Sequence, residues 1–294
     1  MRRWIGLLMS LVILFTTVAT ALAAEKKQTP DERFAPEQTQ PTYVEVPGKG
    51  MMRYYAQNDD LWRRVGYESD KSKKYRPFGD GGCAPTSLAI ILANIVPAEQ
   101  LDDILDYGVR PFSLCEHHIN SNKCSYKRCR ERYELNTPER VERFLPLVFA
   151  DFAMGNNSFG ILSRTERQGT DPRFIPYVAQ VYGLNMTEYK YFREVEPILR
   201  EGKMALAYCV PGSMFSNGGH YLVIVAIDDE KLYLLDPIYR ESYKTTYGKK
   251  VERISPGLIA ISLDDIRFTE FSYYYVFDVP QTADESATSV ETAE

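Results

Sequence analysis

The chain has little of what several protein classes require. Positive charge is in deficit: 35 Lys and Arg stand against 40 Asp and Glu, a formal charge of −5. That balance argues against nucleic acid as a principal partner. There is no Gly-rich phosphate loop ending in Lys-Ser/Thr, so no nucleotide-driven chemistry of that kind is expected. No Cys-x-x-Cys pair occurs, which removes the commonest half of a structural zinc site. There is no internal repeat, which excludes a solenoid. Beyond residues 4–18 no apolar run is long enough to span a bilayer.

The ends are expected to lie outside the fold. Arg2 and Arg3 precede an apolar run, and Ala21-Leu22-Ala23 offers small residues for cleavage. Residues 1–23 therefore read as a secretory signal peptide cut after Ala23, with an uncleaved membrane anchor as the rival reading. The expected location is secreted or extracytoplasmic, with no membrane span after cleavage. Loss of Arg2 and Arg3 makes the remaining chain two charges more negative. Residues 24–45 are polar with Pro30, Pro36 and Pro41 and read as a disordered spacer; residues 281–294, rich in Ser, Thr, Ala and Glu, read as a disordered tail. Residues 46–280 suffice for one sizeable core.

Within that domain, residues 51–67 read as an aromatic arm with Tyr54, Tyr55 and Trp62 turned inward. Leu88, Ile91, Leu92 and Ile95 recur at helical spacing, which predicts an amphipathic helix over 84–95 with Pro85 in its first turn. Further helices are expected over 99–106, from Thr137 as N-cap, over 173–182 and over 195–200. Apolar runs predict strands over 204–210, 221–227, 232–235 and 273–279. Helices first and strands later imply an α+β domain with an antiparallel sheet.

Two residues stand where chemistry would be placed. Cys83 follows Gly81-Gly82 at a helix start, where the helix dipole favours a thiolate. His220 follows Gly218-Gly219 at a strand start, ready to serve as the base of a nucleophile–base pair. A turn centred on Asp228 would set His220 directly opposite Asp236, so that the carboxylate orients the imidazole. A slip of one residue would turn Asp236 to the other face. The N–H of Cys83 supplies one donor for an acyl oxyanion, and Gln57 is the candidate for the second. The bland alternatives are a buried structural thiol, a core histidine, a strand-ending Asp-Pro turn and an ordinary loop glutamine.

Four ordered segments carry a resemblance: Tyr55-Ala56-Gln57-Asn58-Asp59 with Trp62; Gly82-Cys83-Ala84-Pro85-Thr86-Ser87-Leu88-Ala89; Gly218-Gly219-His220-Tyr221; and Asp236-Pro237. Together they resemble cysteine peptidase family thirty-nine of the papain-like superfamily, the bacteriocin-processing peptidases that cut after a double-glycine leader, with their stand-alone secreted relatives. The resemblance runs from about residue 52 to 277 and leaves about 100–136 unmatched. It implies a papain-like fold, a nucleophile helix packed on an antiparallel sheet, with Cys83 as nucleophile, His220 as base, Asp236 as orienter and Gln57 as oxyanion donor, acting on peptide or protein substrates with no cofactor and no metal. The family's usual fusion to an ABC transporter does not carry over, because transporter helices and a phosphate loop are missing.

The expected function is therefore a secreted cysteine peptidase. The alternatives are a thiol amidase or acyl-transferase on the same groups, and a catalytically silent module binding peptide or cell-wall material. The stretch 111–136 reads as an inserted, cysteine-bearing loop. With Cys83 free, Cys115, Cys124, Cys129 and Cys209 are expected in disulfides of open connectivity, and a zinc site among Cys115, His117, His118, Cys124 and Cys129 is the weaker rival.

Overall fold

The structure is a computed structural model, which describes residues 43–59, 62–63, 67, 77–96, 113–114, 133–134, 145–154, 170–171, 173–181, 183–238, 240, 243, 250–266 and 270–278. In chain order these form β1 (Tyr43–Val46), β2 (Gly50–Arg53), α1 (Phe78–Gly81), α2 (Cys83–Ile95), β3 (Ser113–Leu114), β4 (Tyr133–Glu134), α3 (Leu145–Met154), α4 (Phe174–Val181), β5 (Asn185–Tyr189), α5 (Phe192–Arg200), β6 (Ala205–Cys209), β7 (His220–Ile227), β8 (Lys231–Leu235), β9 (Glu252–Ser255), β10 (Leu258–Ser262), α6 (Leu263–Ile266) and β11 (Phe271–Asp278).

The expected signal segment, the helix over 99–106, the helix start at Thr137 and the tail lie outside the described residues, as do Cys115, His117, His118, Cys124 and Cys129. The spacer expected over 24–45 ends sooner: Tyr43–Val46 is strand β1, paired antiparallel with β2, and Val44 and Val46 are buried. Its alternating Tyr-Val-Glu-Val pattern has a strand's period of two. Within the inserted stretch, β3 and β4 pair antiparallel.

Seven strands form one wholly antiparallel sheet in the order β5-β11-β6-β7-β8-β10-β9. With the helices around it, this is the α+β class expected from the sequence. Apolar side chains fill both faces of the central strands. Val223 and Val225 face α2 and α3, whereas Leu222 and Ile224 pack with Leu199 of α5 and with Phe271. This two-sided burial explains why the 221–227 segment is almost wholly apolar rather than alternating.

Helix α2 departs from expectation. It is not amphipathic: every residue from Cys83 to Leu92 is buried. It lies between α3 and the sheet, and a helix enclosed on all sides needs apolar or small residues all round. Among the described residues no helix is long and apolar enough to cross a membrane.

The β7–β8 hairpin also corrects a prediction. Asp228 N–H donates to Lys231 O, so the turn is centred one to two residues later than expected. Next to the turn Ile227 pairs with Leu232 and Ala226 with Tyr233; beyond Val225 the pairs are Ile224 with Leu234 and Val223 with Leu235. Val225 is the extra residue of a β-bulge, and Val225 and Ala226 both point into the same core. Continuing the register sets His220 opposite Ile238, not Asp236. The shift of two keeps Asp236 on the face that His220 occupies. Without the bulge the shift would be three, and the carboxylate would face away.

Candidate active site

Cys83 opens α2. Gly82 before it is enforced by packing: a Cβ there would lie 2.5 Å from the Phe78 ring. The start of the helix is held by Thr86, whose Oγ1 donates to Gly82 O at 2.7 Å. One residue further on, Ser87 Oγ donates to Tyr221 O at 3.2 Å, which pins the first turn of α2 to the start of β7. Gly219 is likewise required, because the Tyr208 hydroxyl occupies the place of any Cβ, at 2.0 Å.

These two pins bring Cys83 and His220 together. His220 and the backbone N–H groups of Tyr221 and Ala84 act on the sulfur, each favouring its charged form. Burial alone would raise the thiol pKa; the bond and charge of His220, with the two N–H groups, outweigh it and lower the pKa below its ordinary value. His220 Nε2 lies 2.8 Å from Asp236 Oδ1, leaving Nδ1 as the ring nitrogen for the sulfur. Burial alone would lower the His220 pKa; the Asp236 charge and hydrogen bond and the contact with Cys83 reverse this and raise it to about 9. Asp236 is fully enclosed, which by itself would raise its pKa, yet the charge of His220 leads a set of contacts that hold it below the usual value. The lowered thiol pKa and the raised imidazole pKa both favour the thiolate–imidazolium pair beside the Asp236 carboxylate over the neutral pair.

The environment of Asp236 contains residues that the sequence did not flag. Its Oδ1 also accepts Ile238 N–H at 2.8 Å, and its Oδ2 accepts the Tyr243 hydroxyl at 2.7 Å. The Tyr54 hydroxyl donates to Asp236 O at 2.7 Å, and Asp236 N–H donates to Gly257 O. Arg240 donates to Phe215 O in the loop before His220. No local pattern announces Tyr243 or Arg240; only the path of the chain after Asp236-Pro237 places them.

Gln57 stands apart from the three. Its backbone N–H donates to Pro237 O at 2.6 Å, beside Asp236, but its side-chain amide donates to Gly79 O of α1 at 2.7 Å. It is fully buried, and among the described residues its Oε1 finds no partner. The same amide nitrogen also lies 3.5 Å from Phe78 O, so both of its contacts are with backbone carbonyls of α1, the second one long.

Cys209 is corrected. It is a free thiol in β6, with no exposure, paired in register with His220. Burial pushes its pKa well up. Among the described residues no cluster of three His, Cys, Asp or Glu side chains is set to hold a metal.

No family model matches the chain, and no curated protein does. Solved structures do. A double-glycine-motif protease from an AMS/PCAT transporter, in complex with its leader peptide, matches at 18% identity and a TM-score of 0.25; the match covers 38% of this chain and 62% of that one, short of two thirds of its length. The peptidase domain of Streptococcus ComA, a bifunctional ABC transporter of a quorum-sensing pathway, matches at 18% identity and a TM-score of 0.28, covering 40% of this chain and 72% of that one. The peptidase domain of Streptococcus mutans ComA matches at 16% identity and a TM-score of 0.28, covering 40% and 82%.

Proposed function

We propose that the chain is a cysteine-type hydrolase acting on peptide bonds. One observation carries the reading: the buried His220 is bonded to Asp236 at 2.8 Å and acts on the buried Cys83, with the thiol pKa lowered and the imidazole pKa raised. A structural thiol would show the opposite, as Cys209 does.

In the proposed reaction the Cys83 thiolate attacks the substrate carbonyl carbon, forming a C–S bond as the carbonyl pair moves to oxygen. The Cys83 N–H, at the first residue of α2 and so without an acceptor inside the helix, and the Gln57 side-chain amide, exchanging its long 3.5 Å contact with Phe78 O, receive that oxyanion. The His220 imidazolium gives its proton to the leaving amine as the C–N bond breaks. Neutral His220 then takes a proton from water, whose oxygen attacks the acyl carbon; the C–S bond breaks and the thiolate–imidazolium pair returns. Asp236 stays ionised throughout and fixes the ring. The proposed setting is extracytoplasmic, supported by residues 1–23 of the sequence alone.

The test is iodoacetamide labelling of the purified protein across pH, with the site mapped by mass spectrometry. Rapid modification of Cys83 at neutral and mildly acidic pH, lost in His220→Ala, is expected, followed by cleavage of peptide substrates. Labelling that is slow until the ordinary thiol pKa sinks the hydrolase and leaves a silent binding module. Cleavage of amides or transfer to amines without peptide hydrolysis moves the reading to an amidase or acyl-transferase.

A further inference from the structure

Three donors converge on the Asp236 carboxylate, and they are not equivalent. Oδ1 takes His220 Nε2 and Ile238 N–H, both at 2.8 Å; Oδ2 takes the Tyr243 hydroxyl at 2.7 Å. The Ile238 bond is a local turn of the kind Asp makes two residues on, and it secures one oxygen only. A carboxylate held through one oxygen can still swing about its terminal torsion. Tyr243 engages the second oxygen and stops that swing.

We propose that Tyr243 is a positioning residue of the site: its hydroxyl fixes the Asp236 carboxylate with Oδ1 on His220 and draws off part of its charge, so setting how tightly the histidine holds its proton. The inference rests on the reading of Cys83, His220 and Asp236 given above. Tyr243 is suited to the task. Burial, followed by the charge of Asp236, raises its own pKa well above the ordinary value, so it remains a donor across the working range. The Arg240 guanidinium lies 5.9 Å from the centre of its ring and also holds Phe215 O, in the loop before His220. The charged and titratable groups facing this centre are Cys83 from α2, Cys209 from β6, His220 from β7, Tyr54 from the arm, and Arg240.

The sign follows from the hydrogen bond. Without the phenol, the carboxylate keeps its full charge, so His220 gains a stronger partner and loses its proton at higher pH. Asp236 itself becomes easier to protonate. Both changes move in the alkaline direction.

The experiment is an NMR titration of nitrogen-labelled histidine in the full chain, unaltered and Tyr243→Phe. The protein has three histidines, so His220→Ala assigns the resonance directly. The His220 midpoint is expected to rise by about half a pH unit or more in Tyr243→Phe, since a bond to a charged group is worth that much. The Cys83 alkylation profile is expected to shift the same way, and its plateau rate to fall about tenfold, the cost of a loosened orienting group. A second variant with 3-fluorotyrosine at position 243, a stronger donor of almost the same size, is expected to lower the midpoint instead. A structural seal would not give opposite shifts. Midpoints in both variants equal to that of the unaltered protein overturn the proposal. Slow Cys83 labelling in the unaltered protein would sink the hydrolase reading on its own, while the His220 midpoint would still decide the role of Tyr243.

Discussion

At the His220 end of the site the polar atoms of Asp236 are all partnered; at the Gln57 end, among the described residues, Gln57 is tied by its amide nitrogen and backbone while other buried polar atoms are left over. Asp236 accepts three donors at its carboxylate and a fourth at its backbone carbonyl. Gln57 and Asn58 are as deeply buried, yet among the described residues Gln57 Oε1 and both side-chain polar atoms of Asn58 find no partner. Full satisfaction rigidifies a buried polar network, and the incomplete one costs free energy. The first end is built to hold one geometry. The second carries polar groups whose use lies outside the resting fold, as an oxyanion donor's would.

The comparison is broken most severely at the first end. Asp236→Asn keeps the shape but offers His220 the wrong partner, and kcat/KM is expected to fall by ~10⁴, as it does in serine triads. A loss under tenfold would mean that His220 needs no orienter. Next comes Gln57→Ala. Removing one oxyanion donor is expected to lower kcat by ~10²–10³ with KM little changed. If the loss stays under about threefold while the melting temperature drops, Gln57 only tethers α1 through Gly79.

The same contrast explains what the sequence could tell. Cys83, His220 and Asp236 lie at junctions of regular elements, where helix-start and strand-parity rules apply, and these three do meet. The register was still misread, because the turn lies later than Asp228, and the bulge at Val225 that takes back one residue of the shift leaves no trace in a run of buried apolar residues. Helix α2 was recognised by its spacing and misjudged in its surroundings, since a helix covered on both sides looks amphipathic when only its bulkiest residues are counted. Strands β9 and β10 were not foreseen: they follow the sheet's own hydrogen bonds, not a local pattern. Tyr243 and Arg240 depend on a loop path, and for loops the sequence offers turn chemistry but no register.

Gly257 links the two ends through Tyr54. It sits at φ +80°, and a Cβ would lie 2.3 Å from the Tyr54 ring, whose hydroxyl holds Asp236 O. Gly257→Ala is expected to destabilise the protein by about 2–3 kcal/mol, from left-handed strain and displaced packing together. Urea denaturation measures it; an unchanged midpoint would show that the Tyr54 contact is loose. A smaller change accompanies pH. In Cys83→Ala, which removes the opposing thiol titration, the raised His220 pKa contributes stability that is full below the ordinary 6.5 and is lost as pH rises through the folded-state value. The lowered Asp236 pKa contributes stability that is full above 3.8 and is lost as pH falls. Stability from the pair is therefore expected to peak between those limits, and the peak should vanish in Cys83→Ala/His220→Ala. A flat profile in Cys83→Ala would contradict the coupling.

The smallest expected effect has the opposite sign. Asn58 is 2% exposed and its amide has no partner among the described residues. An unpaired buried amide costs on the order of 1–3 kcal/mol, and a side chain of like size without polar atoms escapes that cost. Asn58→Leu should thus leave stability unchanged or raise it by up to about 1 kcal/mol, once imperfect packing is set against the gain. The catalytic rate separates two uses of the residue. A rate that holds while stability rises marks Asn58 as a neighbour with no part in the reaction. A rate that falls about tenfold or more, with stability intact, places its amide beside Gln57 as a group reserved for the substrate. A loss of stability instead would mean that the amide anchors a buried water, and the two ends of the site would then be equally well tied.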